Sequence, residues 1–206
     1  MRKNDLKKLI LALVFITTLQ GIGIDVYANS IEGGIWKGLS IFKYFTLQSN
    51  ALVLVYSLLA LVNFKSMTEK EWFQRTLTPV TSYIMLTGIT FLIILAPTSN
   101  AQGLHRVASD LLHYLVPSLM FFYWIVFEER ELQYKYIWSW IIYPFVFMFW
   151  GLYLAIIKED YLYPFFDISK LGILIVPYLA GMTIAVVLIG SFLVFLRKRL
   201  SVPRIS

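Results

Sequence analysis

Long apolar blocks separated by short polar segments dominate the chain. Six blocks are long enough to cross about 30 Å of hydrocarbon at about 1.5 Å per helical residue. Internal repeats and low-complexity linkers are lacking between them. The pattern predicts an all-α polytopic membrane protein in which residues 1–206 form one domain, a single bundle of six transmembrane helices. The predicted spans are Leu9–Ala28, Ile41–Phe64, Thr78–Ala96, Val107–Phe127, Tyr136–Ile157 and Leu171–Leu196.

The first block is too long for the core of a signal peptide, and it is expected to be a retained span. Lys and Arg are unequally distributed between the two sides. With both termini in the cytoplasm, the inner segments carry 13 Lys and Arg, Arg204 among them, and the outer segments five. Because basic loops stay inside, cytoplasmic N and C termini are predicted. The EERE segment Glu128–Glu131 is expected to form a solvated turn on that side.

This orientation brings several polar residues to one depth. Thr46 and His113 are expected about 6 and 9 Å below the outer starts of the second and fourth spans. The inner halves of the second, fourth and sixth spans are nearly all apolar, so the asymmetry predicts an outward-facing pocket rather than a conduit. The other residues expected in or above the polar layer are Asp25, Gln48, Asn50, Asp110 and Trp150, with His105 and Tyr163 in outer loops.

His113 is the histidine that these boundaries place inside a span. A buried imidazole needs hydrogen-bond partners, and ionisable residues within membranes often mark functional sites. Arg106, Asp110, His113 and Pro117 follow one another at steps of four and three residues, so they share a helix face. Asp110 would then orient the ring. A structural role, in which the ring ties two helices together, fits this pattern equally well.

Composition supports the membrane class and narrows the chemistry. The chain is 59% hydrophobic and 15% charged, whereas about a quarter of the residues in soluble domains are charged. Its net charge of +6 comes from groups at the ends of apolar blocks, which argues against a nucleic-acid partner. The absence of cysteine excludes disulfides and a thiol nucleophile. Two histidines supply too few ligands for a closed zinc site, so neither cofactor nor metal is expected.

A hydroxyl and an imidazole are the minimum for nucleophilic acyl transfer. Thr46 and His113 would supply that pair. Spacing alone does not select Thr46, because most hydroxyls in spans bond to the carbonyl one turn earlier. The rival hydroxyls are Thr17, Thr18, Thr81, Thr87, Thr90, Ser49, Ser109 and Ser118. Supporting roles in the same layer are orientation of the base, by Asp110 or Asp25, and stabilisation of an oxyanion, by Asn50 or Gln48.

Three motifs follow in order along the chain: KYFTLQSN (Lys43–Asn50), LLHYLVP (Leu111–Pro117) and YPF (Tyr163–Phe165). With six spans, they resemble the family of androgen-induced-protein-like multipass membrane proteins. Mammalian members are threonine hydrolases of fatty acid esters of hydroxy fatty acids that use an intramembrane Thr and His. The resemblance implies that Thr46 is the nucleophile and His113 the catalytic histidine of a bacterial-type member. The LQSN run departs from the mammalian proteins, so the pair transfers better than the substrate.

The leading hypothesis is therefore a lipid-ester hydrolase of the bacterial cell membrane, entered laterally from the outer leaflet, whose substrate is a membrane lipid or fatty-acid ester. The alternative is a small transporter or lipid-binding protein that holds a head group in the same polar layer. Transporters usually place their sites near the midplane between repeats. The expected site is nearer the outer face, which favours the hydrolase. The sequence does not specify an oligomeric state.

Overall fold

The computed structural model describes residues 2–201, so Arg204 lies outside the described part. Within that part the chain is helical and has no strand. Six of its helical segments are long and apolar enough to cross a membrane, namely Lys3–Lys43, Phe45–Val62, Glu71–Thr98, Gly103–Phe127, Tyr134–Ile157 and Ile168–Ser201. The predicted all-α membrane class and the six spans are confirmed. The direction in which they cross stays a prediction.

The chain forms two compact units, one ending at Arg130 and the other beginning at Glu131. The helices of the first unit are α1 (Lys3–Ser40), α2 (Phe45–Val62), α3 (Phe64–Glu69), α4 (Glu71–Thr90), α5 (Gly103–Asp110) and α6 (Val116–Phe127). Helix α1 packs on α2, α5 and α6, while α4 packs on α2 and α6. Val14, Val53, Ile84 and Met120 are fully buried in this unit.

Helix α1 extends beyond the predicted span and bends sharply near its end. The backbone leaves helical geometry at Gly33 and Gly34. Gly34 has φ of +80°, a left-handed conformation that glycine adopts without the usual steric cost. Beyond the bend the chain returns along its own helix, so closely that a Cβ atom on Gly38 would lie 2.0 Å from the Ser30 hydroxyl oxygen. The glycines therefore allow the last residues of α1, after Gly34, to fold back onto the part of the helix that contains Ser30.

A buried polar network joins α4 to the end of α6. Thr78 donates a hydrogen bond of 2.5 Å to Glu128 and accepts one of 2.9 Å from the indole nitrogen of Trp124. Arg130 donates to the same carboxylate at 2.7 and 3.0 Å. The Glu128 side chain is only 2% exposed. The expectation of a solvated turn is wrong for Glu128, because its paired carboxylate is enclosed by this network.

The second unit contains α7 (Ile137–Ile157), α8 (Ile168–Leu171) and α9 (Ile175–Ser201), with α7 packed on α9. Between α7 and α8 the buried Phe166 contacts Gly151, where a Cβ atom would come within 2.6 Å of the ring. Asp167 caps α8 by accepting from the Lys170 backbone N–H at 3.2 Å. Hydrogen bonds from the Ser169 hydroxyl and the Lys170 side chain hold the pKa of Asp167 below its usual value.

We expect Glu128→Ala to destabilise the protein by about 3 kcal/mol, because it removes the buried carboxylate and leaves the partly buried Arg130 and the buried Thr78 hydroxyl without that partner. Glu71→Ala is the matched control, since Glu71 pairs with Arg75 on an exposed helix face. The control should cost less than about 1 kcal/mol. Unfolding of both variants in detergent micelles measures the difference. Equal destabilisation by the two substitutions would contradict a structural role for the buried network.

Candidate functional site

Thr46 and His113 meet inside the first unit. The distance from Thr46 Oγ1 to His113 Nε2 is 3.3 Å, although 67 residues separate them in the chain. Thr46 is 8% exposed and His113 is half-buried. The separation is close to the range of about 2.6–3.2 Å in which a general base takes a proton from a nucleophile. Helix packing thus creates the contact that the motifs implied.

Thr46 is the second residue of α2. The predicted span began at Ile41, but residues Ile41–Lys43 form a separate 3₁₀ turn, and the extended backbone of Tyr44 (φ −85°, ψ 144°) interrupts the helical run. Helix α2 therefore begins at Phe45. Since the N-terminal end of a helix carries a partial positive charge, Thr46 lies where developing negative charge is favoured.

His113 lies in a five-residue π-helical segment, Leu111–Leu115, between α5 and α6. A second π-helical segment, Phe91–Leu95, follows α4. Phe91 stacks on the imidazole of His113 with the ring centres 3.9 Å apart and the planes at 16°. Single turns of π-helix inside membrane helices are unusual and frequently coincide with functional sites. Here one such turn presents the imidazole, and the other presents the ring that covers it.

The other nitrogen of His113 faces the preceding turn. Nδ1 lies 3.0 Å from the backbone carbonyl oxygen of Ser109 and 3.2 Å from its hydroxyl. A carbonyl oxygen can only accept, so Nδ1 carries the proton in the neutral ring. Nε2 then presents its lone pair, and the Thr46 hydroxyl donates to it. This tautomer is the one that a general base acting on Thr46 requires.

Asp110 does not orient the ring as the sequence suggested. Its carboxylate accepts a hydrogen bond of 2.9 Å from Arg106 Nε, and this pair is largely exposed. The four-residue spacing thus produced an ordinary surface ion pair. The backbone carbonyl of Ser109 occupies the position expected for the Asp110 carboxylate.

Asn50 is fully buried directly behind the pair. Its side-chain nitrogen donates to the Thr46 carbonyl at 2.8 Å and to the Leu112 carbonyl at 3.3 Å. Both amide hydrogens are therefore used, which does not suit the expected role of oxyanion donor. Gln48 also has a backbone partner, since its side-chain nitrogen donates to the Phe42 carbonyl at 3.0 Å.

Asp25 takes part in a polar link between α1 and α5. It accepts a hydrogen bond of 3.1 Å from Asn29 and lies 3.8 Å from His105 Nδ1. The other nitrogen of His105 is 2.8 Å from Glu32. His105 lies in helix α5 instead of the expected outer loop. Asp25 contacts this histidine rather than serving as the expected support of His113.

Trp150 and Tyr163 belong to the second unit. Trp150 stacks on Tyr153 with ring centres 5.8 Å apart, and its side chain is 42% exposed. Tyr163 stacks on Phe165 at 4.9 Å. Their membership of a pocket with Thr46 stays a prediction.

Five of the eight rival hydroxyls have side-chain hydrogen-bond partners that differ from that of Thr46. Thr18 and Thr81 bond to the carbonyl one turn earlier, at 2.7 and 2.8 Å, as most hydroxyls in spans do. Ser49 pairs with Thr87 at 2.7 Å. Ser109 contacts His113, but on the side of Nδ1, where the ring faces a carbonyl. Thr46 is thus the hydroxyl best placed at the basic nitrogen.

Sequence reasoning missed Phe91 and the Ser109 carbonyl, and it missed Gly88 on α4. A Cβ atom on Gly88 would lie 3.1 Å from both the His113 carbonyl oxygen and Pro117 Cβ. The position of Ser109, one turn before the histidine, was a usable signal. The close approach of Gly88 had none, because it depends on how α4 packs against α6.

Among residues 2–201, no group of three or more His, Asp or Glu side chains is placed to hold a metal ion. Comparisons with models of protein families, with characterised proteins and with solved structures found no match to this chain. The family resemblance of the three motifs therefore stays a prediction.

We expect Gly88→Ala to lower the thermal unfolding midpoint, because the added methyl group would press on the carbonyl of the residue that holds the imidazole. Gly23→Ala on α1 is the control, since a Cβ atom there meets nothing within 4 Å. In a helix interior that replacement is neutral or stabilising by up to about 1 kcal/mol. Parallel melts in the same detergent compare the two. A Gly88→Ala midpoint at or above that of the control would contradict the tight packing of α4 against His113.

Proposed function

We propose that this integral membrane protein is a lipid-ester hydrolase of the threonine type, with Thr46 as nucleophile and His113 as general base and acid. One observation carries the proposal. The Ser109 carbonyl at 3.0 Å keeps the proton on Nδ1, which leaves Nε2 as an acceptor 3.3 Å from the Thr46 hydroxyl. This arrangement is the one in which a hydroxyl is activated for attack on an acyl group.

In the first half-reaction, Thr46 Oγ1 attacks the ester carbonyl carbon while its proton passes to His113 Nε2. The tetrahedral intermediate collapses by breaking the carbon–oxygen bond to the alcohol. His113 returns the proton to the departing alkoxide, which leaves as an alcohol. The product of this step is an acyl ester of Thr46 with a neutral histidine restored.

In the second half-reaction, a water molecule attacks the acyl-threonine and gives a proton to His113 Nε2. Collapse of the second tetrahedral intermediate releases the carboxylic acid, and the proton returns to Thr46 Oγ1. The sum is ester plus water giving alcohol plus acid. Neither half-reaction needs a metal or an organic cofactor.

The position of Thr46 at the start of α2 favours this chemistry electrostatically. A carbonyl attacked by Oγ1 develops negative charge within a few ångströms of the positive end of the helix. In an apolar environment such an oriented dipole stabilises charge more strongly than it does in water. The helix terminus thus takes the oxyanion-stabilising role that Asn50 and Gln48 were expected to have.

A long-chain ester is the substrate class that the surroundings favour. Leu92 and Leu115, which follow Phe91 and His113 in the two π-helical segments, expose 52% and 44% of their surfaces. Such side chains suit contact with acyl chains in the bilayer, so the ester would enter laterally. If both termini of the chain lie in the bacterial cytoplasm, Thr46 and His113 would act in the outer leaflet, on a fatty-acid ester.

The direct test is turnover of a long-chain ester, or labelling by a fluorophosphonate probe, in purified protein. Thr46→Ala and His113→Ala should each reduce the rate at least about 100-fold, the usual effect of losing a nucleophile or a general base. Ser109→Ala should change it far less, because the orienting carbonyl belongs to the backbone. Thr18→Ala, which removes a buried hydroxyl on α1, is the control for loss of a threonine.

Loss of fold is monitored in every variant by its unfolding midpoint. Full activity in folded Thr46→Ala and His113→Ala protein would refute the proposal. Loss of activity in Ser109→Ala equal to that in Thr46→Ala would transfer the nucleophile to Ser109.

A further inference from the structure

We propose that Asn50 is a positioning residue that holds the nucleophile and the base in register through their backbones. It does so by donating to a carbonyl that Pro117 leaves without a helical partner. The inference rests on the proposed hydrolase function for its catalytic consequence. The positioning itself is a separate claim that is measurable without substrate.

The argument begins with the backbone around His113. At the end of the π-helical turn the Val116 N–H donates to the Leu111 carbonyl, five residues earlier, which is the π-helical spacing. The next donor in that register would come from residue 117 to Leu112. Residue 117 is proline, which has no N–H. The Leu112 carbonyl, beside the base, therefore loses its π-helical donor in the interior of the protein.

Asn50 supplies the missing donor. Its amide nitrogen lies 3.3 Å from the Leu112 carbonyl and 2.8 Å from the Thr46 carbonyl. Rotating the amide by half a turn would set its oxygen against two carbonyl oxygens, so chemistry dictates the orientation. One NH₂ group thus bonds to the nucleophilic residue itself and to the residue before the base.

The rest of the packing leaves this bridge little freedom. Asn50 is fully buried, and a Cβ atom on Gly21 of α1 would lie 2.6 Å from Leu112 Cδ2. Asn50 Oδ1 has no hydrogen-bond partner among the described residues. The hydrogen bonds of this amide are therefore the two that its nitrogen donates. These two bonds set the Thr46–His113 distance of 3.3 Å. A misplacement of about 1 Å between reacting groups costs about 100-fold in rate.

Nuclear magnetic resonance of the imidazole tests the positioning without activity. In a His105→Asn background His113 is the single histidine, and the ¹⁵N shift of Nε2 reports whether it accepts a hydrogen bond. Thr46→Val defines the shift when that bond is absent. Asn50→Leu should move the signal toward the Thr46→Val position. Ser57→Ala, which removes a buried hydroxyl whose partners among residues 2–201 lie within its own helix, should leave the signal in place.

A double-mutant cycle with Pro117→Ala tests the proposed cause. The alanine restores a backbone N–H near the Leu112 carbonyl. Asn50→Leu should therefore lower the free energy of unfolding less in the Pro117→Ala background than in the wild-type chain. In kinetics, Asn50→Leu should lower kcat by about 10- to 100-fold with little change in KM. Asn50→Ala, which removes the same bonds with a smaller side chain, is the second variant if the leucine prevents folding.

The outcomes separate the two claims. An unchanged Nε2 signal in a folded Asn50 variant, or strict additivity with Pro117→Ala, would overturn the positioning role even if the protein is a hydrolase. A shifted signal in a protein without esterase activity would retain the positioning role and refute the hydrolase.

Discussion

The hydrogen bonding of a single half-buried imidazole is the constraint on which the candidate site depends. In an apolar environment each ring nitrogen must find a partner, and the partner on one side decides what the other side can do. His113 satisfies Nδ1 within its own helix and directs Nε2 across to α2. The π-helical turn, the stacked Phe91 and the close approach of Gly88 all act on the placement of this ring.

The buried polar groups of the first unit have different kinds of hydrogen-bond partners around Glu128 and around Thr46. Glu128 is enclosed by an arginine, a threonine and, through that threonine, a tryptophan, so its carboxylate is paired with a cation and hydrogen-bonded. Around Thr46 the partners are mostly neutral backbone groups. A compensated ion pair suits a structural joint, whereas a neutral imidazole beside a hydroxyl remains able to take up a proton. The contrast explains why the more strongly bonded cluster is not the better catalytic candidate.

The six spans were predictable because crossing hydrocarbon requires length and apolarity, both of which can be counted along the chain. The contact between Thr46 and His113 was accessible through the motifs and through their expected depths. The start of α2 at Phe45 was not, since a single extended residue, Tyr44, interrupts an otherwise apolar run. Helical spacing also misassigned Asp110. A four-residue step brings a carboxylate near an arginine as readily as near a histidine, and here the Asp110 carboxylate pairs with Arg106.

The partner of Nδ1 is a peptide carbonyl, so it is present whatever side chain occupies position 109. In a hydrolase whose histidine is oriented by an aspartate, a scan of single substitutions reveals three sensitive positions. For the proposed Thr46–His113 pair, the third member would be this backbone carbonyl, which such a scan cannot detect, so the scan would report a dyad. Its contribution would become apparent only from changes in the backbone itself, such as an ester in place of an amide or a shift in helical register.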